Sequence, residues 1–352
     1  RAQRRHSRYA HLGARSPQSS YRLGDVVNRS SVLPASLFSS VLGLSGLGQA
    51  WRVADRLWHT PFIVGESILL LAALIWLGLL VGYVAQALRD PAKAVHEFND
   101  PISGGTPALI GIATLLMCLA ILPWSRPLAW VLTAVGLAWH LLFSVWHTGA
   151  LWQGGRQPRD TVPTLYLPTV AGNFAGGAAL GALGQTSWAW LLFGAGLFSW
   201  FALEPLIIRR LWHTESLPAA QRALLGIQFA PPVVCATALL VIAPDAPQQC
   251  LLMLLGYSFF QMLVGLRLRT WITLQPFTHA WWAFSFGAVS ATLTCVKLAA
   301  EGAPAAHALA RPVFDAANLL VGYLCLRSLV KILQSKKSTR NMAPIRHRER
   351  TD

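Results

Sequence analysis

Long runs of apolar residues, apolar on every side, alternate along this chain with short polar connections. Stretches such as Ser67 to Ala87, Ala189 to Ile208 and Gln249 to Leu266 carry the signal most clearly. At about 1.5 Å per residue each can cross a hydrocarbon core roughly 30 Å thick. A membrane barrel would instead need strands alternating apolar and polar at every second residue. Hydropathy and chain breakers predict ten spanning helices: Leu33 to Arg56, Phe62 to Leu88, Pro107 to Leu122, Leu128 to Ala150, Pro163 to Leu183, Ser187 to Ile208, Ala223 to Ile242, Gln249 to Leu268, Phe277 to Lys297 and Val313 to Leu333. The expected class is an all-α membrane protein.

The spans alternate in character. Even-numbered ones are rich in Leu, Trp and Phe, as suits helices facing lipid, whereas odd-numbered ones carry Gly, Ala, Ser, Thr and Pro. The first holds Pro34, Ser36, Gly43 and Gly46, the fifth Pro168, Gly172, Asn173 and Gly176, and Pro231 and Pro232 interrupt the seventh after Gln228. Small residues let helix backbones approach closely, and a proline within a span frees carbonyls that must find other partners. These helices are expected inside. The pattern reads as five successive hairpins, inner helix then outer helix, with a repeat of roughly fifty to seventy residues. Tight packing of a solid bundle would also use small residues, but proline-broken helices recur where transporters handle ions, which favours a central pore.

Charge changes the picture in one respect. Only 12% of the 352 residues are charged and 54% are hydrophobic, yet the formal net charge is +15. In a soluble protein that excess would suggest nucleic acid. Here Arg1, Arg4, Arg5, Arg8, Arg15, Arg22 and Arg29 crowd one end, and Lys331, Lys336, Lys337, Arg340, Arg346, Arg348 and Arg350 the other. Both flank the membrane part, so the basic tails imply topology and attraction to anionic membrane lipid, with no nucleic-acid partner. Lys and Arg also concentrate in the loops on the tail side, which places both termini in the cytoplasm. The expected organisation is a basic, disordered cytoplasmic tail over 1–32, without the apolar core of a cleaved signal peptide, a membrane domain over 33–334, and a second basic tail over 335–352.

Chemistry-bearing residues are few. Cys118, Cys235, Cys250, Cys295 and Cys325 form no CxxC pair, so neither a metal site nor a disulfide framework is expected. Glu66, His140, His147, Glu204, Lys297 and Arg327 are the ionisable residues well inside spans, where charge is costly and a functional candidate by default. Glu66 and Glu204 sit on outer helices and are expected to bind inner-helix donors, a structural role weighed against proton coupling. Lys297 and Arg327 lie near span ends and can reach the headgroups. His140 and His147 share a helix face, but a haem would need a ligand on a facing helix, with His279 the one obvious candidate. No GxSxG, HExxH or Walker sequence is present at a plausible place, so no enzyme, cofactor or metal is expected. An interior poor in fixed charge suits the passage of anions, because hydroxyls, backbone N–H groups and helix ends attract them weakly and let them leave.

Four segments carry a family resemblance: LPASLFSSVLGLSGLGQAW from Leu33, TLYLPTVAGNFAGGAALGALG from Thr164, LPAAQRALLGIQFAPP from Leu217 and WWAFSFG from Trp281. Together they resemble the tellurite-resistance and dicarboxylate transporter (TehA-like) family, which includes the plant guard-cell slow anion channels. The resemblance implies a homotrimer in a bacterial inner membrane, each protomer having its own pore lined by the five inner helices and closed by a phenylalanine on the ninth. That phenylalanine corresponds to Phe286, and the plant channels' following proline is Gly287 here. Pro34, Phe38, Gly43, Pro168, Gly172, Pro231, Pro232, Ser285 and Gly287 are the candidate lining or kink positions. The expected function is a gated conduit for small inorganic or organic anions. Its rival is a proton-coupled carrier of C4-dicarboxylates such as malate, of tellurite or of sulfite, for which Glu66 or Glu204 would have to titrate.

Overall fold

The computed structural model describes residues 33–342, with side chains as far as Ser335. The 1–32 tail and residues 343–352 lie outside the described residues, and so do the expectations that fell on them. Among the described residues every regular element is helical, and seven helices are long and apolar enough to cross a membrane.

The helices are α1 (Ser39–Trp58), α2 (Phe62–Arg89), α3 (Pro91–Asn99), α4 (Ala108–Ile121), α5 (Arg126–Trp152), α6 (Gly172–Ala182), α7 (Thr186–His213), α8 (Leu225–Gln228), α9 (Ala230–Ile242), α10 (Gln248–Arg267), α11 (Arg269–Ile272), α12 (Ala283–Ala300) and α13 (Pro304–Met342). They fall into two layers by burial. Only 17% of the most apolar stretch of α2, 33% of α5, 22% of α7, 28% of α10 and 17% of α13 is buried in protein, against 78% for Ala219–Ile242 and 61% for His279–Ala300. The exposed Leu, Phe and Trp side chains of the first group therefore need lipid or a neighbouring protein as solvent.

The inner layer closes on itself. Helix α1 packs on α4, α4 on α6, α6 on α9, α9 on α12, and α12 back on α1. Each inner helix also packs on the outer helix that follows it, α1 on α2, α4 on α5, α6 on α7, α9 on α10 and α12 on α13. Small residues make the ring tight. A Cβ added at Gly43 on α1 would lie 2.3 Å from Ser285 Oγ on α12, so only glycine allows this approach.

Every inner helix begins in a tighter or wider turn than the α-helix. Ala35–Phe38 precedes α1, Pro163–Leu165 and the π turn Leu167–Ala171 precede α6, Ala219–Leu224 precedes α8 and α9, and His279–Trp282 precedes α12. At the start of α4 the Leu109 N–H donates to Thr106 O at 2.9 Å, again one residue short of an α-helical bond. Prolines account for much of this, because they lack the N–H that an α-helical ladder requires. Pro231 and Pro232 thus sit in the first turn of α9, where that N–H would be unpaired anyway, and the break falls at Phe229.

The loop before the third span contains α3, too short and polar to register as a span. The final helix runs from Pro304 to Met342, longer at both ends than the span expected from Val313 to Leu333. Pro312 lies inside that helix without ending it.

Candidate functional site

The ring of inner helices encloses two cavities. The first, about 70 Å³, is lined by Ser36, Ser39, Leu42, Leu109, Val170, Pro231 and Ala283 among others. The second, also about 70 Å³, is lined by Ser45, Gln49, Leu116, Ala175, Thr237 and Ser290 among others. Each of the inner elements gives its earlier residues to the first cavity and its later residues to the second, so the cavities are stacked along the ring. Phe286 and Val234 line both. The half-buried Phe286 ring therefore stands between the two spaces. Phe284 lines neither and packs at the side of α12, 6.0 Å from Phe229 and 6.2 Å from Trp281 between ring centroids. Among the described residues lining the two cavities there is no Asp, Glu, Lys, Arg or His.

Charge is held around the cavities instead. Glu204 on α7 gathers five donors: Tyr166 Oη at 2.6 Å, Trp200 Nε1 at 2.8 Å, Gln228 Nε2 at 3.0 Å, Tyr257 Oη at 2.6 Å and Gln261 Nε2 at 2.9 Å. Tyr166 and Gln228 belong to the broken entrances of α6 and α9, so one outer-helix carboxylate ties two inner breaks to α10. Glu66 on α2 pairs with Arg52 on α1, with Nε to Oε1 at 2.6 Å and Nη2 to Oε2 at 2.8 Å, and Arg52 also donates to Ala120 O at 2.9 Å. Lys297 Nζ donates to Leu240 O at 3.0 Å, and the Arg327 guanidinium lies over the Phe277 and Tyr323 rings.

The two histidines of α5 have different surroundings. His140 is fully buried, within 3.2 Å of both Asn173 Oδ1 and Ser144 Oγ, and Ser144 Oγ donates to Pro168 O at 2.6 Å. The ring fills the space beside Gly172, where a Cβ would meet it at 2.1 Å. His147 stacks on Phe143 near Arg156 at the helix end.

Sequence reasoning missed Glu97, on the unforeseen α3. Its Oε1 accepts from the Ala35 N–H at 2.8 Å and its Oε2 from Tyr83 Oη at 2.9 Å, which pins the entrance of α1. Burial pushes the Glu97 carboxyl above its usual range despite these donors. For nearby Asp100 burial also acts upward, but the Ser103 N–H and hydroxyl and the Ile102 N–H hold the carboxyl below its usual range. No hydropathy pattern marks either residue.

The remaining candidate positions are distributed around the ring. Pro231 lines the first cavity. Phe38 is fully buried, edge-on to Tyr83 at 6.4 Å, rather than on a cavity wall. Pro34 caps the first turn, Pro168 lies in the π turn, and Pro232 is buried in α9. Gly43 and Ser285 meet each other between α1 and α12, and Gly287 faces the Ala230 backbone. These residues set how closely the ring packs, because one side of each inner helix must meet its neighbours before another can face a cavity.

Residues 32–329 match the family model SLAC1, described as "Voltage-dependent anion channel". The chain belongs to this family. Within it, the chain is similar to "Tellurite resistance protein TehA homolog" of Haemophilus influenzae, 32% identical over 306 residues that cover 86% of this chain and 92% of that protein. It is also similar to "S-type anion channel SLAH2" of Arabidopsis thaliana, 21% identical over 283 residues covering 76% of this chain and 53% of that protein. The SLAC1-family match spans the whole inner ring, from the first turn before α1 to most of α13, and so both cavities.

Proposed function

We propose that this SLAC1-family protein is a gated conduit for small anions, its pathway running through the two stacked cavities with Phe286 as the gate between them. The observation that carries the reading is the pair of cavities sharing the Phe286 ring within a ring of helices, with no charged side chain among the described lining residues. A fixed cation there would bind an anion tightly and hold it, whereas uncharged donors give shallow attraction that permits release. The aromatic ring blocks passage sterically and excludes water, and a rotamer change opens it.

On this reading the chain crosses a bacterial inner membrane ten times, both termini are cytoplasmic, and three copies assemble, each with its own pore. α1, α4 and α6 complete the seven spans that length and apolarity alone identify. A proton-coupled carrier of malate, tellurite or sulfite would need a titrating group in the pathway. Glu66 and Glu204 are instead occupied by Arg52 and by five donors, on outer helices.

Purified protein in liposomes tests the proposal, with chloride, nitrate, malate and tellurite compared with and without a pH gradient. Downhill chloride and nitrate flux indifferent to the pH gradient is the expected result. Saturable malate uptake driven by the gradient would overturn it. Tellurite belongs in the set because passage of that oxyanion would link the conduit to the resistance for which the Haemophilus relative is named.

A further inference from the structure

The second cavity carries four polar side chains, and they differ in what their protons already do. Ser45 Oγ donates to Leu42 O at 3.3 Å and Thr237 Oγ1 to Val234 O at 2.9 Å, each within its own helix. Gln49 Nε2 is buried with no hydrogen-bond partner, and the structure gives no hydrogen bond to the hydroxyl of Ser290, a residue 5% exposed. Gln49 is also the one carboxamide among the described residues lining either cavity.

We propose that Gln49 and Ser290 form an anion-coordination site in the second cavity and set which anions the protein accepts; this rests on the conduit reading and assigns its selectivity to two residues. Ser290 follows Phe286 by four residues on α12, so it lies on the same helix face about 6 Å further on. Gln49 reaches the same cavity from α1, which packs directly on α12. The site is thus one helical turn beyond the proposed gate.

A buried donor left unpaired is costly, and an anion resting against it removes that cost. Two uncharged donors among apolar walls such as Leu116, Leu119 and Leu293 can replace the loosely held water of nitrate or bromide. They cannot replace the shell of a doubly charged, strongly hydrated ion such as sulfate. The ligand class is a singly charged, weakly hydrated anion.

Two measurements test the site on the full chain. Bromide-soaked crystals of the wild type should show anomalous scattering in the second cavity within hydrogen-bond reach of Gln49 and Ser290; bromide confined to the first cavity, or absent from both, overturns the proposal. In liposomes, Gln49→Leu, which keeps the bulk and removes the donors, should raise the half-saturating nitrate concentration about tenfold. Ser290→Ala, a change small enough to keep the fold, should raise it about threefold. Gln49→Glu, which puts a carboxylate where the anion would rest, should abolish nitrate flux in protein that still elutes as the wild type does. Wild-type half-saturation in both Gln49→Leu and Ser290→Ala would overturn the site while leaving the conduit standing. A wild type that passes no anion would instead sink the conduit itself.

Discussion

Tyr166, whose ring lines the first cavity, donates its hydroxyl proton to Glu204 Oε2 at 2.6 Å. That bond connects the lining of the inner ring to a carboxylate on an outer helix. Glu204 accepts from Gln228, Tyr257 and Gln261 on Oε1 and from Tyr166 and Trp200 on Oε2, so both oxygens are committed. Glu204→Gln keeps the shape but presents an NH₂ to at least one set of donors, and should lower stability by about 1–3 kcal/mol. Glu204→Ala strands all five and should cost more, with lower yield. Anion flux per folded protein should survive in the Gln variant, because the carboxylate faces neither cavity. Thermal unfolding in detergent and liposome flux on the same preparation check both halves; normal stability with abolished flux in Glu204→Gln would reassign the residue to proton coupling.

The contact between Gly43 and Ser285 sets the spacing of α1 against α12. Since an added Cβ would lie 2.3 Å from Ser285 Oγ and 3.1 Å from the Trp282 ring, Gly43→Ala forces the helices apart. Overpacking of this kind costs roughly 1–3 kcal/mol. Ser285→Gly removes the atoms that the new methyl group strikes first. The double variant should therefore recover much of the lost melting temperature, a coupling that only neighbouring residues show. Additive losses in the double variant would place the strain elsewhere.

Acid stability should carry the mark of Glu97. Burial raises its folded-state pKa above the usual 4.5, so between that pH and the raised value the folded protein holds more protons on this group than the unfolded chain. The contribution to stability consequently falls as pH rises through the window and is level above it. Asp100 acts with the opposite sign, its lowered value making stability fall as pH drops below its usual 3.8. Glu97→Gln should abolish the decline above pH 4.5 while leaving the acid-side loss from Asp100. Melting temperature followed across pH in detergent measures the two limbs separately, and an unchanged upper limb in Glu97→Gln would remove Glu97 as its source.

The layering of the molecule was legible in the sequence because it is written in side-chain size. Runs holding Gly43, Gly46, Gly172 or Gly176 can pack on both sides, whereas Leu74, Phe198 and Leu319, all exposed, suit a lipid-facing surface. What periodicity could not show is which side of a small-residue helix faces a cavity. Ser285, Phe286 and Gly287 are consecutive, yet Ser285 meets Gly43, Gly287 meets the α9 backbone, and Phe286 alone lies on the cavities. That choice depends on two neighbouring helices at once. Glu97 was hidden for a related reason, because the backbone N–H that it accepts belongs to Ala35, 62 residues away in the chain, and the structural role expected of Glu204 came without its donors, of which Gln261 lies 57 residues away.

Phe284 and Phe286 provide the sharpest test, because they share a residue type and a helix but not a direction. Two residues apart on α12, they project about 200° from each other around the axis. Phe284 is half-buried among Phe229, Trp281 and the α10 end of the bundle, so truncation should act on packing. Fully buried phenylalanines lose roughly 3–5 kcal/mol on replacement by alanine, and half-burial brings the expected loss for Phe284→Ala to about 2–3 kcal/mol. Its conductance per folded protein should remain that of the wild type. Phe286→Ala removes the ring between two existing cavities, joining them without disturbing the glycine contacts that hold the ring of helices together. Its basal anion conductance should rise strongly at normal expression, and the stability change should be smaller than for a closely packed aromatic because empty space already flanks the ring on both sides. Planar bilayer currents and melting temperatures of the two variants decide the matter. Equal or lower conductance in folded Phe286→Ala, or a rise in Phe284→Ala instead, would place the barrier somewhere other than the ring shared by the two cavities.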